Sequence, residues 1–241
     1  MTIGRRALLL LPALLPLASA AAEPAEPRRE QSPIDFRPAD LQPADLADLR
    51  FDYASSTGVR MTYISTENSP CDEPGDEETI RAVVPPGAGT LRVGRQRYEL
   101  QQVHWHAASE HLLDGHRFPL EQHLVHTDAD GRLLVVAVWL RHGRPHRTLG
   151  RLFGALPPEC TPDREVADVD LGALLPRSHQ SMRYRGSLTT SPYSEDVAWV
   201  MLTRPMVLSR PQAQAFAGHF PSGNARGVQP LGDRTVQLDL R

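Results

Sequence analysis

What this 241-residue sequence has little of narrows its reading before any motif is considered. It has two cysteines, Cys71 and Cys160, so at most one intramolecular disulfide is available and a scaffold held by many bridges is excluded. It has no surplus of positive charge. Lysine and arginine number 26 against 29 acidic residues, the formal net charge is -3, and no basic stripe is visible, which leaves no electrostatic case for nucleic-acid binding. It has no apolar run of the roughly 20 residues that a membrane-spanning helix needs; the segment Ala7 to Leu17 is short and broken by Pro12 and Pro16. There is no internal repeat.

What is present begins with an export signature. The first residues, MTIGRRALLLLPALLPLASA, carry Arg5 and Arg6, then an apolar stretch, then the small residues Ala18-Ser19-Ala20. That is the layout of a secretory signal peptide over residues 1–22, cut after Ala20 or Ala22, and the paired arginines fit twin-arginine as well as general export. The expectation is a periplasmic or secreted protein with no stable membrane span after cleavage; the competing possibility, an uncleaved anchor, is opposed by length and by the two prolines. In an exported chain Cys71 and Cys160 are expected to form a disulfide. Residues 23–30 lie in AEPAEPRREQSP, a proline- and charge-rich arm with nothing to bury. The remainder, 31–241, suits one domain with a sizeable core.

Within that domain short alternating or β-branched stretches predominate: VRMTYIS, TIRAVV, LRVGRQRYEL, QQVHWHA, EQHLVHT, RLLVVAVWL, VAWVMLT and TVQLDL. They predict strands and hence a β-rich domain. Two helices are expected, one over RTLGRLFGAL before Pro157-Pro158 and one over RPQAQAFAGHF with Ser209 as N-cap. The acidic, proline- and glycine-broken segment 65–78 reads as a loop.

Chemistry concentrates in QQVHWHAASEH, residues 101–111, where His104, His106 and His111 crowd together. If the segment is a strand, residues two apart share a face, so His104 and His106 project together while Val103 and Trp105 point the other way. EQHLVHT also reads as a strand, and its His123 completes a tripod if the two strands are neighbours. Three imidazoles with a fourth position open to water suit zinc. The residues alone leave a second reading open, that of ordinary strand histidines on a polar face.

The segments QSPIDF, QVHWHAASEH, EQHLVH, GSLTTSP, VAWVML and GNARGVQPL decide between them. In order and spacing they resemble the α-class carbonic anhydrases from about Gln31 to Leu231. The resemblance implies a mainly β (α+β) single domain, with a large, mostly antiparallel twisted sheet, a few peripheral helices, and zinc at the base of a conical cavity. It implies His104, His106 and His123 as ligands of Zn2+, oriented by Gln102, by the backbone of Asn224 and by Glu121 respectively. It implies reversible hydration of CO2 to bicarbonate by attack of zinc-bound hydroxide, with Thr189 accepting from the hydroxide and Glu110 accepting the Thr189 proton. Thr190 is then adjacent to substrate, and Val125, Val135, Leu188, Val197 and Trp199 line an apolar CO2 pocket. Arg226 corresponds to a buried structural arginine, while His111 and His126 correspond to no ligand and are read as structural.

The chain also departs from the family pattern. No tryptophan or tyrosine precedes Gln31-Ser32-Pro33, so the family's N-terminal aromatic cluster has no counterpart. The proton-shuttling histidine is replaced by Glu78, or alternatively Glu77. A carboxylic acid ordinarily titrates near 4.3, a poor match for a water ionising near 7, so turnover is expected to depend on external buffer. Tyr193 stands where a disulfide cysteine often stands. The enzyme is expected as a monomer or dimer acting on CO2 and bicarbonate. The alternative is a carbonic-anhydrase-like binding or interaction protein with little or no activity, and the intact tripod is the feature that separates the two.

Overall fold

Residues 133–140 are apolar without alternation, so a strand formed there needs cover on both faces. A computed structural model, which describes residues 30–64, 78–159 and 161–240, gives it that cover at the centre of a large sheet. The strands in chain order are β1 (Asp35–Phe36), β2 (Leu41–Ala44), β3 (Leu49–Tyr53), β4 (Thr57–Ile64), β5 (Thr79–Val83), β6 (Gly89–Val93) and β7 (Gln96–His106). They continue with β8 (Leu112–Leu113), β9 (Leu120–Thr127), β10 (Leu133–His142), β11 (Arg164–Val169), β12 (Ser181–Gly186), β13 (Val197–Leu208) and β14 (Val236–Asp239). Helices α1 (Arg147–Phe153) and α2 (Arg210–Ala217) complete the set, with short 3-10 turns at Pro38–Asp40 and Gly172–Leu174.

Among the described residues twelve strands form one sheet, ordered β11-β4-β5-β7-β9-β10-β13-β12-β14-β2, with β6 paired to β7 and β3 to β6. Pairing is antiparallel except between β10 and β13 and between β14 and β2; β1 and β8 make a separate parallel pair. The sheet is therefore large and mostly antiparallel, as expected. LRVGRQRYEL does not form one strand. Gly94 takes φ 59, a left-handed conformation open to glycine, and the chain turns there into the β6–β7 hairpin. β7 then runs on through His106, absorbing QQVHWHA.

Both expected helices form. His146 caps α1 through its side chain, which accepts from Leu149 N, and Gly154 closes it three residues before Pro157. Ser209 caps α2 in a full capping box with Gln212. The helices cover one face of the sheet, where Trp105 meets Phe153 and Phe216 edge-on at 5.2 and 6.2 Å. A second apolar cluster, containing Ile34, Phe36, Trp139, Val197 and Trp199, occupies the other face. Alternation along β7 and β9 sends Val103, Trp105 and Leu124 into the helix-covered cluster, and His104, His106 and His123 to the opposite side.

Candidate metal centre

The tripod is assembled by register. His104 of β7 is the cross-strand partner of His123 of β9, and His106 lies two residues along the same face of β7. The ring centroids are 5.0 Å apart for His104–His106 and His104–His123, and 4.7 Å for His106–His123. One nitrogen from each ring lies within 4.8 Å of the other two.

Each outer nitrogen is held by an acceptor. His104 Nδ1 is 2.9 Å from Gln102 Oε1, His106 Nδ1 is 2.7 Å from the Asn224 carbonyl, and His123 Nε2 is 2.7 Å from Glu121 Oε1. A carbonyl or carboxylate oxygen can only accept, so these nitrogens carry the protons and the neutral rings turn lone pairs inward. His104 Nε2 and His123 Nδ1 face each other at 3.2 Å, and His106 Nε2 is buried without a hydrogen-bond partner. Burial, followed by neighbouring His123 and His106 and by Arg81, pushes His104 well below its ordinary pKa. Burial also lowers His106, against a smaller opposing pull from Glu110. Three buried lone pairs aimed at one point repel unless a cation sits between them. The donor set fits zinc, which takes neutral imidazole nitrogens.

A further shell fixes this arrangement. Glu121 Oε1 also lies 2.6 Å from His111 Nδ1, and Oε2 accepts from His111 N–H at 2.8 Å. Burial alone would raise the Glu121 carboxyl; the His111 and His123 rings outweigh it and hold it far below the usual carboxylate range. His111 Nε2 meets the Tyr184 hydroxyl at 2.6 Å, and Tyr184 meets Ser32 Oγ at 2.7 Å. His111 is therefore more than a bystander, because it anchors the carboxylate that orients His123. Its role, with those of Tyr184 and Ser32, was missed in the sequence.

Asn224 acts through its side chain as well as its carbonyl. Its Oδ1 accepts from Ala107 N–H at 2.8 Å, and Nδ2 donates at 3.1 Å to both the Trp105 and Glu78 carbonyls. Glu110 Oε1 accepts from Arg226 N–H at 2.8 Å, while Oε2 is buried, without a partner, and 3.9 Å from His123 Nδ1. Arg226 donates to the Ser32 carbonyl at 2.7 Å and stacks its guanidinium 3.8 Å above the Tyr193 ring. Thr189, Thr190, Tyr193, Asn224 and Arg226 together line a cavity of about 350 Å³.

Next along the same face of the sheet, Gln102, Val125, Val135 and Trp199 stand in one cross-strand row. The Trp199 ring is 5.0 Å from that of His123. Val197 and Leu188 belong to the same apolar cluster. In the tripod's own row Thr62 and Arg81 continue beyond His104, so an arginine borders the metal centre, which the sequence did not suggest. His126 is buried apart from the tripod against Tyr53.

Glu78 is buried, and its carboxylate takes the hydrogen bond of the Tyr63 hydroxyl. Tyr63 alternates with Thr62 along β4, and its ring stacks on Phe220 at 6.1 Å, so this carboxylate is engaged from the helix-covered side. Glu77, Cys71 and Cys160, with the signal segment and most of the arm, lie outside the described residues.

Comparison with known proteins agrees with this geometry. The model of the eukaryotic-type carbonic anhydrase family matches residues 20–239. A carbonic anhydrase from Nostoc sp. is 36% identical over 210 residues, 86% of this chain and 75% of that protein. The α-carbonic anhydrase of Thermovibrio ammonificans, solved with the inhibitor sulfanilamide, superposes with a TM-score of 0.76 at 34% identity over 87% of each chain. Dioscorin, solved with ascorbate, shares the fold with a TM-score of 0.74 at 27% identity, covering 87% of this chain and 85% of that one.

Proposed function

The chain belongs to the eukaryotic-type carbonic anhydrase family of enzymes, and from that premise we propose that it interconverts CO2 and bicarbonate at a zinc ion held by His104, His106 and His123. The observation that carries the proposal is the convergence of three buried inner nitrogens whose outer partners are already occupied. When bound, zinc supplies a Lewis acid that lets water ionise near neutral pH, an effect for which this family is the reference case.

The chain's own residues supply the rest. Gln102, Asn224 and Glu121 hold the tautomers that keep the inner nitrogens free for metal. Glu110 has one buried oxygen committed to Arg226 N–H and one open acceptor. A hydroxyl that donates to that acceptor must itself accept from whatever approaches it, which suits Thr189 for aligning the attacking oxygen. CO2 has neither charge nor donor, and the apolar side of the site, with Val125, Val135, Leu188, Val197 and Trp199, gives it a place close to the tripod. Proton export relies on buffer, because the position of the family's shuttle carries Glu78, whose carboxylate is engaged by Tyr63. We place the working enzyme outside the cytoplasm on the strength of residues 1–22; N-terminal sequencing of the mature protein tests that.

CO2 hydration by the purified protein, before and after chelation and beside His123→Ala, tests the function. Activity is expected to vanish in both cases and to return to the chelated wild type on adding zinc. Activity surviving both treatments overturns the proposal.

A further inference from the structure

Where β10 and β13 leave the sheet together, a groove of about 1080 Å³ opens, and CO2 chemistry has no use for it. Arg141, Arg144, Arg177 and Arg204 line it, all exposed, and no aspartate or glutamate does. Among the described residues none of the four guanidinium groups has a hydrogen-bond or ion-pair partner. None of the groove residues lines the cavity of Thr189 and Asn224. Arg141 lies four residues along β10 from Ala137, the strand partner of His123, about 13 Å at 3.3 Å per residue.

The backbone fixes these arginines in place. Val138 pairs with Leu202, but Leu140 pairs with Met206, so residues 203–205 stand against the single residue Trp139. The bulge carries Arg204 out of the ladder. Thr203 N–H and Oγ1 both donate to the Gln180 carbonyl, at 2.9 and 3.2 Å, which ties the bulge to the segment bearing Arg177. Gly143 N–H donates to the Leu208 carbonyl at 2.8 Å, holding the Arg141–Arg144 connection against the end of β13.

Four permanent like charges around one concavity repel, and among the described residues no carboxylate lines the groove to offset them. The sequence contains no lysine, so all 26 cationic side chains are guanidinium groups, whose planar fork pairs two hydrogen bonds with one oxyanion. A single inorganic anion would fill a small part of the groove. No Phe, Tyr or Trp lines it, and His146 lies at the end shared with a neighbouring concavity, so it offers no extended platform for stacking nucleobases, and its concave form does not suit a flat bilayer. Leu175, Pro176, Met206 and Val207 give it an apolar floor. At Arg144, His146 and Ala173 it continues into a second concavity that includes Asp168 and Asp170. Arg151 already meets Asp168 there, at 3.9 Å, so the anionic ligand belongs at the Arg177–Arg204 end. We propose that this groove is a second binding site, separate from the metal centre, for a linear polyanion carrying phosphate or sulfate groups, of the kind found on acidic glycans.

The test uses the full-length, zinc-loaded protein and two labelled probes, a sulfated hexasaccharide and inorganic tripolyphosphate, followed by fluorescence anisotropy at several salt concentrations. Saturable binding of at least one probe is expected, and the probe that binds better identifies sulfate or phosphate as the natural group. The double variant Arg177→Gln/Arg204→Gln should lose affinity about a hundredfold, roughly tenfold for each charge-assisted contact. Its plot of log affinity against log salt should flatten by about two. Its CO2 hydration rate and melting temperature should not change. The control pair Arg92→Gln/Arg95→Gln removes the same charge from the exposed β6–β7 hairpin and should bind as wild type. The proposal is overturned by absence of saturable binding to both probes, by equal losses in the two double variants, or by equally tight binding of duplex DNA of matched charge, which would mean diffuse attraction without a site.

Discussion

Replacing Glu121 with glutamine isolates the contribution of orientation to metal binding. The side chain is fully buried, and its two oxygens serve three donors: His111 N–H at Oε2, and the His111 and His123 rings at Oε1. Glutamine keeps the shape but has one acceptor oxygen, so its NH2 group must face a donor in either orientation. If the NH2 takes the Oε2 position it strands the His111 backbone N–H, at a cost of about 1–3 kcal/mol. If it takes the Oε1 position, both rings must move their protons to the far nitrogen. For His123 that nitrogen is Nδ1, the one facing His104 Nε2 at 3.2 Å, and the proton would occupy the place of the metal.

The first orientation is therefore preferred, with a weaker, uncharged acceptor behind His123. Glu121→Gln is expected to lower zinc affinity about 10–100-fold and to lower the stability of the metal-free protein by about 1–3 kcal/mol. Competition against a chromophoric chelator measures the first, and urea unfolding of the metal-free protein the second. Zinc affinity within about twofold of wild type would refute the tautomer argument, whatever happens to stability, because the carboxylate would then be a packing element only.

Burial lowers His126 from 6.5 to about 4, and its Nδ1–H donates to the Leu134 carbonyl while Nε2 accepts from Tyr53. The unfolded chain takes up a proton there first as pH falls, so the neutral ring's contribution is complete above pH 6.5 and is lost between 6.5 and about 4, amounting to about 3 kcal/mol. Urea unfolding across that range should show a shallower pH dependence for His126→Gln than for wild type, and identical slopes would sink the assignment. Gly186, the last residue of β12, has no room for a methyl group: a Cβ there would collide with Ser32 Oγ and lie 2.9 Å from Tyr184 Cε2. Gly186→Ala should destabilise by about 1–3 kcal/mol, read as a lowered urea midpoint; an unchanged midpoint would mean that the Ser32–Tyr184 contact yields freely. Turnover should rise with the concentration of an imidazole-type buffer, because Glu78 is engaged by Tyr63. A rate indifferent to buffer would show that some other group carries the proton.

The tripod was legible as a candidate from the strand repeat, and the resemblance of QVHWHAASEH, EQHLVH and GSLTTSP to a known family decided it. The two-residue repeat of a strand puts His104 beside His106, and an adjacent apolar strand supplies His123. Gln102 and Glu121 sit two residues before His104 and His123, on the same face by the same repeat, but their orienting roles came from the resemblance, since spacing alone fits ordinary strand polarity. Among the strands not expected, β12 offers only two apolar positions, Met182 and Tyr184, alternating with Arg183 and Arg185, and β11 at the sheet edge buries only Val166 and Val169. β3 is different: its Leu49, Phe51 and Tyr53 alternate with Arg50 and Asp52, a pattern that was there to read. His111 looked idle because its contact with Glu121 closes a loop of ten residues and exists only in the folded chain. The arginine groove was invisible for the same reason. Arg141 and Arg144 lie in a local basic run, RHGRPHRTLGR, but Arg177 and Arg204 are far from it in the chain, and the charge is collected from the end of β10, the connection after it, the segment before β12 and a bulge in β13.

The three histidines of the tripod are not equally secure. His104 and His123 are oriented by residues of their own strands, so their geometry forms with the β7–β9 pair. His106 depends on Asn224, which lies 118 positions away in the chain. That link is made by a backbone carbonyl, so no side-chain identity could specify it directly; what the chain specifies instead is the means of holding the carbonyl still. Asn224 does this with its own side chain, bonded to the flanks of His106 at Trp105 and Ala107 and to Glu78 ahead of β5. Neighbouring Arg226 adds a backbone bond to Glu110 and a side-chain bond to Ser32. The C-terminal segment therefore fixes both His106 and the Glu110 carboxylate. On the proposed function, metal affinity and the alignment of Thr189 are expected to be coupled through the placement of residues 224–226.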